Sequence, residues 1–208
     1  MAISGTLKTF LDGAKVPYTV AKHPVVYTAQ EIAAAQHVPG RQLAKCVLVK
    51  TGRGPVLAVL PATHLIDFKR LKSLLGGGPV SIAKEPDCKA AFPDVEVGAM
   101  SPFGNLYHVP VVVETSLAHA PDIVFNGGTH SETIKMRYQD FASLVKPAAG
   151  AFGQPIAPPA KPGARGKARR AQPTSTSKRA AKPKAARKAR GAAKTSSRAA
   201  RRPKARKR

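Results

Sequence analysis

The sequence predicts an α+β domain, a mixed, barrel-like β-sheet with surrounding helices, followed by a disordered tail. Three observations carry this. Short runs rich in Val, Leu and Ile, some with period-two alternation, read as strands. Helical spacings fall between them in irregular order, without the βαβ rhythm of a parallel sheet. The charge then changes abruptly. Residues 148–208 carry twenty Lys and Arg and no Asp or Glu, whereas residues 1–147 carry fifteen Lys and Arg against eleven Asp and Glu. The core is therefore +4 and the tail +20, together the +24 of the chain.

The elements follow in order. Ile3, Leu7, Phe10 and Leu11 stand at i, i+4, i+7 and i+8 and mark one face of a helix that Gly13 is expected to end. Tyr18 to Ala21 reads as a strand. Thr28 and Glu31 form a capping-box pattern, with a helix to about His37 and a stop at Pro39-Gly40. Leu43 to Lys50 and Val56 to Leu60 are β-rich runs joined by a Gly-containing turn. Asp67 caps a helix with Phe68, Leu71, Leu74 and Leu75 on one face, stopped by Gly76-Gly77-Gly78. Pro79 to Ala83 reads as a strand and Pro86 to Phe92 as a helical turn or two. Pro110–Glu114, Ile123–Asn126 and Thr133–Met136 are three more strands. A last helix carries Tyr138, Phe141, Leu144 and Val145, and Pro147 is expected to end the domain.

Composition narrows the function classes. A 147-residue core is long enough to bury one hydrophobic centre, built without Trp and mostly from Val, Leu, Ile and Ala. Cys46 and Cys88 lie in no metal-like spacing and make no disulfide framework, so neither metal nor cofactor is expected and the default setting is reduced and cytoplasmic. The N-terminus lacks the basic start and apolar run of a signal peptide. The apolar stretches are too short to span a bilayer, so no membrane partner is expected.

Three segments break the pattern of a plain core. Gly98 to Leu106 places two Gly and one Pro among apolar residues. It is either a tight connection or a rigid loop whose free amide protons hold a phosphate or a developing oxyanion. Asn126-Gly-Gly-Thr-His130 is either a glycine turn with an exposed His or a polar site at a strand end. Lys45 alternates with Leu43, Val47 and Val49, so it shares an apolar face. It either lies at the strand's exposed start or on a solvated face, or it lines a cleft where it meets negative charge. Alternation points Cys46 to the opposite face, against a thiol nucleophile. No GxSxG, HExxH or P-loop pattern is present.

Together, the Lys in LAKCVLVK, the GxxxP loop from Gly98 to Pro102 continued as FGNLY, and FNGGTH followed by ETIKMRYQDF resemble the YbaK/ProX family of aminoacyl-tRNA deacylases. That family includes the editing domain inserted in bacterial prolyl-tRNA synthetases. The resemblance covers residues 3–147 and implies a barrel-like sheet with outer helices. It implies a trans-editing hydrolase that removes a wrong amino acid from tRNA, alanine on tRNA for proline being favoured over cysteine or serine. It also implies roles. Lys45 faces the terminal adenosine and its ester, Gly98 shapes the ester-binding loop, and His130 borders the amino-acid pocket; these three form the catalytic set. Tyr27 and Thr28 bind substrate, as do Ser101, Pro102, Phe103, Gly104 and Asn105 of the loop, and Gly128 and Thr129 of the turn. No side-chain nucleophile is implied: an aminoacyl ester is already activated, and one well-placed oxyanion donor is worth about 10²–10³ in rate.

The tail resembles those of linker-histone-like proteins in composition alone. It cannot bury enough apolar surface to fold, which predicts disorder. Its expected partner is tRNA, with phosphates at the tail and the ester end at the core; the ribosome and DNA are the other polyanions it suits. The alternative reading of the whole chain is a non-catalytic tRNA-, ribosome- or DNA-binding protein that uses the same fold as a platform.

Overall fold

The structure, a computed structural model, describes residues 3–156. The basic tail from residue 157, with its expected disorder, lies outside the described residues. Strands and helices mix as predicted. The first half holds α1 (Gly5–Ala14), β1 (Tyr18–Lys22), α2 (Ala29–Ala35), β2 (Ala44–Thr51), β3 (Gly54–Pro61), β4 (His64–Ile66) and α3 (Phe68–Leu74). The second half holds β5 (Val80–Ile82), α4 (Glu85–Ala91), a 3₁₀ turn (Gly104–Tyr107), β6 (Val111–Glu114), α5 (Thr115–Ala118), β7 (Asp122–Asn126), β8 (Glu132–Arg137), α6 (Tyr138–Val145), β9 (Ala148–Gly150) and β10 (Gly153–Pro155).

Five strands form a mixed sheet in the order β5-β2-β3-β6-β9. β2 and β3 are an antiparallel hairpin, while β3 and β6, and β6 and β9, run parallel. β1, β8 and β7 form a separate antiparallel sheet, and β4 pairs with β10. Among the described residues the sheets do not close into a barrel. A single parallel bridge, Leu43 to Val124, and the amide of Val124 donating to the Gln42 carbonyl at 2.9 Å join the two larger sheets.

This junction is a fork. β5 pairs with β2 at Val49 to Thr51, and β7 is bridged only to Leu43, the residue just before β2. Between these points the outer edge of β2, from Ala44 to Val47, is paired with no strand among the described residues. The residues that packed sheets would cover are left to border an opening.

The main core lies between the sheets, where Leu48, Leu57, Val59 and Val113 meet Phe103, Phe125, Ile134 and Phe141. Phe103 anchors it, with ring centroids 5.9, 5.7 and 5.5 Å from Phe10, Phe125 and Phe141. A second cluster on the other face of the five-stranded sheet gathers Val49, Ala58, Leu60, Leu71, Val112 and Phe152. β2 is therefore covered on both faces, and alternation alone could not name a solvent side.

Several expectations are corrected. Helix α1 does not end at Gly13 but at Ala14, with Lys15 supplying the left-handed cap at φ 55°. Of the face expected on α3, Leu71 is fully buried while Phe68 and Leu74 stay over a third exposed, because this short peripheral helix packs along one row only. The domain does not end at Pro147. Residues 148–150 pair with β6, residues 153–155 pair with β4, and Phe152 between them is completely buried. The buried carboxylate of Glu114 accepts from the backbone amides of Phe152, at 2.6 Å, and Gly153. The isolated strand β4 escaped the sequence reading because it has three residues and its partner lies past the expected boundary.

The capping box at Thr28 is present. Its Oγ1 accepts from the Glu31 amide at 3.2 Å, and Glu31 Oε2 accepts from the Thr28 amide at 3.0 Å and hydroxyl at 2.7 Å. Thr28→Ala should therefore cost about 1 kcal/mol of stability, the usual value of an N-cap. An unfolding titration checks this; an unchanged midpoint would free the hydroxyl for another role.

Candidate active site

A cleft of about 160 Å³ opens at the fork. Leu43, Ala44, Lys45 and Cys46 of β2 form one wall, and Tyr27, Ala29 and Ile32 of α2 and its approach form another. Asn126 at the end of β7, Gly98 and Met100 complete it. The bridge register aligns Leu43 with Val124, and two residues on, where the strands part, Lys45 and Asn126 both line the cleft. This volume is below the roughly 300–1,000 Å³ of pockets that enclose drug-sized ligands, and suits a small acyl group.

Lys45 is half-buried, and burial lowers its pKa from the ordinary lysine value. No acidic group forms an ion pair with it among the described residues. An isolated, partly desolvated ammonium in a cleft is a site for an anion or a polarised carbonyl oxygen. Cys46 also reaches this cleft: at an open edge, neighbours of both faces border the gap. Burial pushes its thiol pKa far up, which keeps it protonated and a poor nucleophile.

The two glycine-bearing loops meet behind the cleft. Gly98 has φ +90°, and a Cβ on it would lie 3.3 Å from Cε1 of His130. The His130 amide donates to Glu96 Oε2 at 2.8 Å, and its Nε2 lies 2.9 Å from the Val97 carbonyl oxygen. The Glu96 amide in turn donates to the Gly128 carbonyl at 2.9 Å. Tyr27, the most exposed large apolar side chain among the described residues, rests on the His130 ring with centroids 4.8 Å apart. Ser4 packs beneath Gly128, where a Cβ would meet it at 2.9 Å, and the Ser4 hydroxyl donates to Asp94 at 2.5 Å. Tyr107 donates to the same carboxylate at 2.6 Å; burial, then Asp94, pushes its phenol up to about 12.

The predicted residues thus divide. Lys45, Gly98 and Tyr27 line the cleft, and His130 backs Gly98 and Tyr27 without lining it. Thr28 is engaged as a helix cap. Ser101, Pro102, Phe103 and Gly104 are buried outside the cleft wall. Phe103 is the core anchor, and Gly104 is packed so tightly that a Cβ would meet the Val109 oxygen at 2.6 Å. Asn105 lies in the 3₁₀ turn away from the cleft. Gly128, with φ +107°, and buried Thr129 shape the turn that presents His130.

The sequence reading missed Asn126, Met100, Ile32 and Glu96. Asn126 stood within FNGGTH but carried no spacing signal of its own. Its side-chain oxygen, like those of Asn105 and Thr129, His23 Nε2 and His130 Nδ1, is buried without a hydrogen-bond partner among the described residues. Such atoms are costly unless something supplies a partner. Among the described residues no group of three or more His, Cys, Asp and Glu is placed to hold a metal. No helix among them is long and apolar enough to cross a membrane.

The model of the aminoacyl-tRNA editing domain family matches residues 23–144, which include Lys45, Gly98 and His130. The chain is 29% identical over 142 residues to a prolyl-tRNA editing protein of Acetoanaerobium sticklandii, covering 65% of this chain and 86% of that protein. It is 27% identical over 104 residues to a proline–tRNA ligase of Thermosipho africanus, a match to half of this chain but 18% of the ligase. In fold it is similar to the crystal structure of a putative trans-editing enzyme for prolyl-tRNA synthetase. That likeness has TM-score 0.65 at 18% identity, covering 74% of this chain and 99% of the other.

Proposed function

Because the chain belongs to the aminoacyl-tRNA editing domain family and is on that ground an aminoacyl-tRNA deacylase, we propose that the cleft beside Lys45 is where a wrongly attached amino acid is cut from its ester. The observation that carries this reading is a lone, half-buried ammonium in a small cleft that contains no carboxylate and no ionised thiol. The substrate brings the reactive bond, so the site needs only to hold the ester, polarise its carbonyl and admit water.

In this reading Lys45 faces the ester and the terminal phosphate, Gly98 brings backbone close to the acyl group, and Tyr27 and His130 form the rim. Water adds to the ester carbonyl carbon and the ribose oxygen leaves with the proton, giving free amino acid and tRNA with its terminal hydroxyl. The cleft favours a small side chain, with alanine on tRNA for proline as first choice. Size exclusion alone is a weak sieve, since one methylene is worth about 1–3 kcal/mol. The twenty cations after residue 147 add sequence-blind attraction to the tRNA phosphates.

The test is hydrolysis of alanyl-tRNA for proline, with prolyl-tRNA as control, by the full chain and by one stopped after Ile156. Release of alanine with retention of proline is expected. The shortened chain should keep its turnover number but need more tRNA, with a weaker salt dependence. Cleavage of seryl or cysteinyl esters alone would keep the site and change the substrate. Binding without cleavage of any ester would overturn the reading in favour of a non-catalytic nucleic-acid-binding protein.

A further inference from the structure

We propose that Glu96 is a positioning residue of this site, which locks His130 in one tautomer and holds the two glycine-bearing loops together. The proposal rests on the reading of the cleft as an ester site. Glu96 lies two residues before Gly98, in a loop whose connection to the Gly127–His130 turn is entirely through hydrogen bonds and packing. Its amide donates to the Gly128 carbonyl at 2.9 Å, and its carboxylate accepts from the His130 amide at 2.8 Å. Its own carbonyl accepts from the Ala99 amide at 2.9 Å, closing the turn that carries Gly98. One residue thus ties the second loop to the first through its amide and side chain, while its carbonyl closes its own turn.

The next residue completes the lock. A carbonyl oxygen can only accept, so the 2.9 Å contact between the Val97 oxygen and His130 Nε2 requires a proton on Nε2. In the neutral ring Nδ1 is then a bare acceptor, and it is buried without a partner among the described residues. Gly98 lies against one edge of the ring and Tyr27 packs on it at an interplanar angle of 57°, which restricts the imidazole. Glu96 does not line the cleft. It acts through His130, Gly128 and Gly98.

Removing the carboxylate should release the His130 backbone and let the ring sample other positions, while the cleft wall that binds the ester stays in place. An error of about 1 Å in a positioned group can cost about 10²-fold in rate. For Glu96→Ala in the full chain, kcat on alanyl-tRNA should therefore fall by roughly 10–100-fold, with KM nearly unchanged. Glu96→Gln keeps an oxygen acceptor for the same amide and should restore most of the turnover. Nitrogen NMR of the ¹⁵N-histidine-labelled chain, with His130 assigned by His130→Asn, should show Nε2 protonated and Nδ1 bare. In Glu96→Ala the two tautomers should mix.

Parent-like turnover in Glu96→Ala overturns the proposal, as does a Glu96→Gln chain no better than Glu96→Ala. If Glu96→Ala does not fold, the parent spectrum decides by itself: a His130 protonated on Nδ1 and bare on Nε2 excludes the lock. If the parent cleaves no ester, the ester reading fails, and the ring-nitrogen spectrum still judges the lock separately.

Discussion

Replacing Lys45 with methionine should lower single-turnover deacylation by about 10²–10³-fold, the loss expected when one preorganised electrostatic donor is removed, and leave the fold at least as stable. Both effects have one cause. The ammonium is half-buried with no acid paired to it among the described residues, and burial lowers its pKa. On the proposed reading its charge is a cost in the free protein, repaid only when the ester and phosphate arrive. Methionine matches the stem in length and apolar character without that cost.

The pH dependence has a definite sign. The protonated fraction falls as pH rises through the lowered folded-state pKa, so the Lys45-dependent rate is lost at a pH below that of an ordinary lysine. Between the lowered value and the unfolded value the unfolded chain binds more protons, so stability rises with pH in that window. Lys45→Met should abolish both trends. Rates corrected for spontaneous ester hydrolysis, with urea titrations at neutral and alkaline pH, measure them. A methionine variant that deacylates at the parental rate would remove Lys45 from the site.

Stopping the chain after Pro147 should unfold the domain, whereas stopping after Ile156 should leave its melting temperature unchanged. The shorter chain loses strands β9 and β10 and the completely buried Phe152, and it strips the buried Glu114 carboxylate of two amide donors. Deleting a buried Phe side chain alone costs about 3–5 kcal/mol. An uncompensated buried carboxylate adds to that. Domains of this size have about 5–15 kcal/mol to lose. Phe152→Ala isolates the packing part and should lower the melting temperature clearly without changing kcat on alanyl-tRNA. A Pro147-terminated chain that melts with the parent would show that the C-terminal strands add nothing to stability.

Where the signal was local, the sequence sufficed. The Thr28 capping box, the Asp67 cap and the β2–β3 hairpin each depend on residues a few positions apart, and each formed as read. The order of Lys45, Gly98 and His130 was visible because each breaks its own surroundings: a cation in an apolar strand, a Gly/Pro loop among apolar residues, and a Gly-Gly turn with polar residues between strands. The charge change after residue 147 was visible too, but the fold runs past it because Phe152 finds a hole in the second core cluster and Glu114 holds its backbone.

What the sequence alone determined is the set of elements, the class of fold and a short roster of unusual residues, since all of these follow from neighbours along the chain. What only the tertiary structure decided is which of them share a cleft. That depended on β7 parting after one bridge at Leu43, which leaves the edge of Ala44 to Val47 unpaired and lets Lys45 and Asn126 line one cleft. It also depended on a strap at Glu96 reaching a turn 34 residues away. Nothing at short range encodes the point where two sheets part, because it is set by the packing of Phe103, Phe125 and Phe141 between them.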